Sequence, residues 1–303
     1  MNKNLQGIIA MLVTPFSASE EIDEGALSAE VDWCAQQGAN GIVATPSIGE
    51  FACLSNKERW RCFEVCYQAA SRYPGLFTVA MISATHTRDV LEQARVAKSI
   101  GYDAAQLIPP YYWVPDEEEV YRHYQLAAQV GLPIVVYHNP ALSKFYMRRE
   151  FLSKLSEIPG IIAIKEVKTD RHVDLEPLFS AIKGKVKIFT TFRVLTTGLI
   201  LGSAGGFINV FAVPACVKIL KLFQEGPDQH GGQREQAERL QQKVNEFFSR
   251  GGEDNKRHIG TTKMAASVVT GIPMGPPRAP YLSPDPKFEK QMRARLPELT
   301  ALL

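Results

Sequence analysis

Residues 161–167 read Ile161-Ile162-Ala163-Ile164-Lys165-Glu166-Val167. Apolar residues running without a polar break read as a parallel strand buried on both faces. An ammonium near the end of such a run must point into the protein or stand at the strand's carboxyl end, where α/β folds collect their catalytic groups. Burial disfavours the charged form, and a neutral amine condenses with a ketone or aldehyde to give a Schiff base. The plain alternative is a strand-edge lysine that snorkels to solvent. Read alone, the run favours the plain alternative, so its neighbours along the chain must decide.

Similar runs recur at 7–13, 41–45, 77–82, 104–108, 133–137, 186–190 and 206–210, which with 161–167 makes eight. Amphipathic segments at 24–37, 56–71, 87–100, 117–130, 148–157 and 174–182 lie between them. Ser55, Thr87 and Asp116 stand at helix starts, and the glutamates after Asp116 suit the helix dipole. Gly38, Gly101, Gly131 and Gly202 close helices ahead of strands. Eight β-α units of this length predict a (β/α)8 TIM barrel rather than a doubly wound sheet. After Val210 the rhythm changes to helical patterns at 233–250, 258–270 and 286–303, punctuated by Gly251-Gly252 and a proline-rich stretch at 273–284. The expected organisation is a catalytic barrel over 1–225 and a C-terminal helical extension over 226–303.

Composition narrows the function classes. A net charge of +2, with 22% charged and 45% hydrophobic residues over 303 positions, fits a soluble globular protein and does not point to nucleic acid or an anionic membrane. No apolar stretch is long enough to span a bilayer, and the Met1-Asn2-Lys3-Asn4 start lacks the pattern of a secretory signal. Cys34, Cys53, Cys62, Cys66 and Cys216 are an odd number without a paired framework. Cys62 and Cys66 share a helix face, but no second cluster completes a zinc site. A cytoplasmic protein without metal is therefore expected.

In such a barrel the active site is built at the carboxyl ends of the strands. Those ends read Thr14-Pro15-Phe16, Thr45-Pro46-Ser47-Ile48-Gly49-Glu50, Pro109-Pro110-Tyr111-Tyr112, Tyr137-His138-Asn139-Pro140, Lys165-Glu166 and Thr190-Thr191-Phe192-Arg193. Hydroxyls, phenols and one lysine dominate, which suits carbonyl chemistry with an amine nucleophile and a hydroxyl proton relay. Each has a plain reading too: Tyr137 as a strand-end packing residue, Tyr111-Tyr112 as an interface pair, Ser47 as a helix-start residue.

With these ordered landmarks, together with Leu12-Val13 ahead of Thr14, Leu132-Pro133 ahead of Tyr137, Leu201-Gly202-Ser203-Ala204-Gly205-Gly206 and the tail through Lys263 to Pro277-Arg278-Ala279-Pro280, the chain resembles the pyruvate-dependent class I aldolases of the dihydrodipicolinate synthase and N-acetylneuraminate lyase superfamily. The resemblance covers essentially the whole chain. It implies that Lys165 forms the Schiff base, that Tyr137 passes protons, and that Ser47 binds the 2-oxo acid's carboxylate and joins the relay. Tyr112 matches a tyrosine that crosses a tight-dimer interface into the neighbouring site. Asn139 lies nearby with no role assigned. The expected first substrate is pyruvate or another 2-oxo acid, with an aldehyde-type second substrate. No cofactor is expected, because the imine itself activates the carbonyl carbon. A homo-oligomer, a dimer or dimer of dimers, follows from the resemblance alone.

The departures are as informative. Pro46 and Ile48 replace the glycine and second threonine of the Gly-Thr-Thr-Gly-Glu motif, leaving the backbone N–H of Ile48 for the carboxylate. Leu142 stands where the synthase carries an arginine for its dicarboxylate-like second substrate. Thr190-Thr191-Phe192 replaces the acidic clusters that would hold a sugar acid's hydroxyls. Lysine-pathway synthesis and sialate cleavage are therefore not expected. An apolar acceptor end built from Ile48, Leu142, Phe192 and Phe207 points to a less polar aldehyde or 2-oxo acid. Arg193 is read as a relocated anion site or a solvated helix-start residue. The alternatives to an aldolase are a 2-oxo acid dehydratase or deaminase on the same scaffold, and a catalytically idle binding paralogue.

Overall fold

The computed structural model describes residues 3–167, 172–225, 232–249 and 257–300. Its eight strands are β1 (Gly7–Met11), β2 (Gly41–Ala44), β3 (Phe77–Met81), β4 (Ala104–Leu107), β5 (Ile134–His138), β6 (Ile161–Glu166), β7 (Lys187–Thr190) and β8 (Gly205–Asn209). All are parallel, and they close into a barrel in chain order, with β8 paired to β1. The TIM barrel expected from the eight runs is the fold observed.

Alternation along each strand explains why the runs carry no polar break. Ile9, Val43, Val79, Ala104, Val135, Ala163, Phe189 and Phe207 fill the barrel lumen in one buried cluster. Their neighbours Ile8, Ala10, Ile42, Ala44, Ala80, Ala105, Val136, Ile164 and Ile208 pack outward in a second cluster with the helices. Both faces of each strand thus meet protein, and each fully buried Val, Leu or Ile stabilises the fold by roughly 1.5–3 kcal/mol.

The helical ring comprises α1 (Glu24–Gln36), α2 (Asn56–Ala70), α3 (Thr87–Ile100), α4 (Glu117–Ala128), the single-turn α5 (Pro140–Ser143), α6 (Arg149–Leu155), α7 (His172–Ile182), α8 (Leu195–Ile200) and α9 (Val213–Gln224). Ser55 and Asp116 both form complete capping boxes, with Glu58 and Glu119, an arrangement worth about 1 kcal/mol each. The α3 cap is His86 rather than Thr87, one residue earlier than expected. Helices α8 and α9 are absent from the sequence-based assignment. The first has one turn and a half, and the second, Val213-Pro214-Ala215-Cys216-Val217, is so apolar that its polar face is narrow. Helix α9 packs on β1 and β8, which places it in the ring itself.

Among the described residues three further helices follow: α10 (Gly232–Ser249), α11 (His258–Thr270) and α12 (Pro286–Thr300). Gly251-Gly252, the 225/226 boundary on its C-terminal side and the end of the last expected helix lie outside the described residues. Gln241 of α10 donates from Nε2 to Phe192 O (2.6 Å) and accepts the Thr196 N–H at Oε1 (3.3 Å), clamping the turn after β7. No described helix is long and apolar enough to cross a membrane. The five cysteines are free, and burial raises the thiols of Cys34, Cys62 and Cys66.

Candidate active site

Strand parity decides which side chains enter the site. Val135 and Ala163 belong to the lumen, so Tyr137 and Lys165, two residues further along each strand, face the same way one layer higher. The two residues are register partners across β5 and β6. Lys165 is 2% exposed, and its side chain is therefore enclosed rather than snorkelling to solvent. Among the described residues its Nζ lies 2.9 Å from Met11 Sδ, 4.0 Å from the centre of the Tyr137 ring and 5.4 Å from that of Phe207. A thioether and two ring faces compensate a buried ammonium weakly. Burial accordingly lowers the amine from its usual 10.5 to about 7. Roughly half the lysine is then the neutral nucleophile at pH 7.

The Tyr137 phenol accepts a hydrogen bond from Asn139 Nδ2 at 2.8 Å. Burial raises its pKa, and the Asn139 amide and nearby Ser47 hydroxyl pull it part of the way back. Ser47 opens a 3₁₀ turn (Ser47–Gly49) directly after β2, pinned by Thr14 Oγ1 donating to Gly49 O at 2.6 Å. The Ser47 Oγ is buried, makes no well-aligned hydrogen bond, and lies close enough to the Tyr137 phenol to lower its pKa as a hydrogen-bonding neighbour. Ile48 turns inward and packs with Met11 and Phe207, and Phe207 stacks edge-on against Phe189 at 5.2 Å. Both Ile48 and Phe207 belong to the apolar cluster that fills the barrel lumen.

Other sequence-selected residues lie elsewhere. Tyr112 is 77% exposed, edge-on to the equally exposed Trp113, and does not reach Lys165 of its own chain. Its neighbour Tyr111 instead turns in, stacking on Phe51 at 5.9 Å beside Met81, Ile108 and Tyr137. Phe192 packs against Phe211 in the layer between barrel and helices, so it does not line the acceptor end. Thr190 faces Gly198 of α8. Arg193 is exposed with its guanidinium over the Phe192 ring at 5.1 Å. Leu142 sits half-exposed on α5 at the mouth.

Sequence reasoning passed over several groups. His138 and Glu166, next to the two site residues and of opposite parity, form a buried pair with Nδ1 2.7 Å from Oε2. His138 Nε2 accepts the Met147 N–H at 3.2 Å, which places the ring proton on Nδ1, donated to Glu166. This pair ties the loop after β5 to β6. Arg59, 3% exposed, donates to the Met81 and Ser83 carbonyls (2.5 and 2.9 Å) and lies over Phe51, bracing the end of β3. The available signal was parity: a polar residue following an inward one at a strand end must find a partner behind the barrel wall.

The model of the dihydrodipicolinate synthetase family matches residues 4–299. A 4-hydroxy-tetrahydrodipicolinate synthase of Nitratidesulfovibrio vulgaris is 37% identical over 164 residues, which cover 53% of this chain and 55% of the synthase. The match thus spans only about half the length of that curated relative. An uncharacterized DapA-like lyase of Thermococcus kodakarensis is 29% identical over 97% of this chain and all of its own length. Among solved structures, a sialic acid aldolase of Ruminococcus gnavus carrying a catalytic-lysine mutation superposes with a TM-score of 0.88 at 18% identity, covering 99% of both chains. YagE, a prophage protein from E. coli K12 solved with pyruvate, gives 0.86 at 23% identity over 98% and 99% of the two chains. At these identities the structural likeness is one of fold.

Proposed function

The chain belongs to the dihydrodipicolinate synthetase family, and from that premise we propose that it is a class I lyase forming a Schiff base between Lys165 and pyruvate or a larger 2-oxo acid. The observation that carries this reading is the enclosed Lys165 amine, lowered to about 7 and held against the Tyr137 ring at 4.0 Å. The neutral Nζ adds to the 2-oxo carbon, and the carbinolamine hydroxyl leaves as water with a proton delivered by Tyr137. The resulting iminium draws electrons from the adjacent carbon–carbon or carbon–hydrogen bond. Loss of a proton gives an enamine that adds to an aldehyde, and the reverse sequence cleaves a carbon–carbon bond. Ser47 Oγ and the Ile48 N–H receive the substrate carboxylate.

Leu142 at the mouth, with Ile48 and Phe207 within, supports an acceptor that brings no second carboxylate. The exposed Tyr112-Trp113-Val114 segment supports a homo-oligomer in which a partner subunit covers it. In this reading residues 1–225 carry the chemistry and residues 226–303 brace it.

Borohydride reduction in the presence of pyruvate and a panel of 2-oxo acids, followed by peptide mass mapping, tests the proposal. An adduct on Lys165 that disappears in Lys165→Ala is expected, and no adduct with any 2-oxo acid would sink the reading. Product analysis then separates a lyase, which releases or consumes a carbonyl fragment, from a dehydratase or deaminase, which does not.

A further inference from the structure

Asn139 is the N-cap of α5, yet its side chain makes no capping bond. An asparagine here normally turns its amide back onto the first helical N–H groups. Its Nδ2 instead donates to the Tyr137 phenol at 2.8 Å. The backbone holds it there: Asn139 O accepts from Leu142 N (3.1 Å), Ser143 N (3.0 Å) and Ser143 Oγ (3.1 Å). One residue back, His138 is fastened to Glu166 and to the Met147 N–H. The amide is thus set by a short, fully bonded loop, the kind of support that locks a functional rotamer.

We propose that Asn139 is a positioning residue for the proton relay: by donating to the phenol oxygen it occupies one lone pair of Tyr137 and leaves the phenolic proton directed at the substrate oxygen on Lys165. The inference rests on the Schiff-base reading and adds to it a relay partner supplied within the same chain. With Tyr112 exposed and the Ser47 hydroxyl a neighbour without a well-aligned bond, the amide supplies the well-formed hydrogen bond to the phenol among the described residues. A donor to the phenol also stabilises the phenolate that forms when the proton leaves, so relay and return are both eased.

The test measures borohydride-trapped adduct formation with pyruvate between about pH 6 and 10 in wild type, Asn139→Leu, Tyr137→Phe and the double variant, a pH range that brackets both groups. Asn139→Leu should slow trapping at least about tenfold and move the alkaline limb to higher pH, while the limb set by Lys165 stays in place. On the Tyr137→Phe background the same substitution should change the rate by less than about twofold, because its effect passes through the phenol. Equal slowing on both backgrounds, or an unchanged rate and profile, would overturn the inference. Asn139→Asp, of the same size but accepting rather than donating, should raise the Tyr137 titration followed by ¹³C-tyrosine NMR. That signal does not depend on turnover. No adduct in wild type sinks the Schiff-base reading, whereas a normal adduct with an unmoved Tyr137 titration sinks the role of Asn139.

Discussion

Lys263 Nζ lies 3.1 Å from Glu50 Oε1, with both side chains closed to solvent at 1% and 0% exposure. The pair joins α11 to the loop that begins at Ser47. Glu50 Oε2 accepts the Arg278 N–H (2.9 Å), and Lys263 also donates to Pro276 O (2.8 Å). Helix α11 and the segment after it therefore hold the turn that begins at Ser47.

Lys263→Met leaves the Glu50 carboxylate buried without its cation, which should cost about 3–5 kcal/mol. Adding Glu50→Gln removes the stranded charge and should restore at least half of the loss. Urea unfolding of the two single variants and the double variant gives the coupling. Simple additivity would show that the pair contributes nothing specific.

Lys165→Met should stabilise the fold while abolishing adduct formation, since it removes an amine that burial lowers from 10.5 to about 7. Below pH 7 the lysine is charged in both states and the folded protein carries the whole desolvation cost, on the order of a few kcal/mol. Between 7 and 10.5 the unfolded chain binds more protons, so wild-type stability rises with pH through this window and the advantage of methionine shrinks. Melting temperatures across the range check the slope, and a gain independent of pH would contradict it.

Glu30 is fully buried against Val13, whose N–H it accepts at 3.0 Å, and burial raises its carboxyl from 4.5 to about 8. The folded state then binds more protons than the unfolded one between those values, so wild-type stability falls as pH rises through them. Glu30→Gln keeps the acceptor and cannot ionise. Its advantage should be absent near pH 4.5, grow up to about pH 8 and plateau above at a few kcal/mol. Parallel stability curves for the two proteins would refute this.

Gly205 opens β8 at φ +143°, and a methyl group there would lie 1.9 Å from Gly7 O on the strand that closes the barrel. Because the obstructing atom is backbone, Gly205→Ala should destabilise by at least about 3 kcal/mol. Gly184→Ala, with a positive φ but open space around it, should cost about 1 kcal/mol. Thermal unfolding ranks the two, and equal costs would show that backbone conformation alone governs both sites.

Much of this architecture is legible without coordinates. Strand runs such as 161–166 announce themselves because both faces are buried, and the helices that carry a polar outer face show their period. Helix α9 escaped because its apolar face is too broad to leave a period, and α8 because one turn and a half is too short. Motif order singles out Lys165, Tyr137, Ser47 and Ile48 as candidates, and the pairing of β5 with β6 sets the first two in register. Tyr111 and Tyr112 show the limit: nothing in a loop sequence says which of two adjacent aromatics turns inward.

The barrel, its strand ends and the pairing of a lysine with a tyrosine can be read along the chain, because they depend on periodicity within single elements and on motif order. Contacts formed on folding set the rest: Tyr111 rather than Tyr112 packs beside Tyr137 in its own chain, Asn139 forgoes its helix cap for the phenol, and Lys263 reaches Glu50 across most of the chain. Those outcomes depend on how close the closed barrel brings groups that are distant in sequence, and a hydrogen bond or ion pair exists only within a few tenths of an ångström of its proper length.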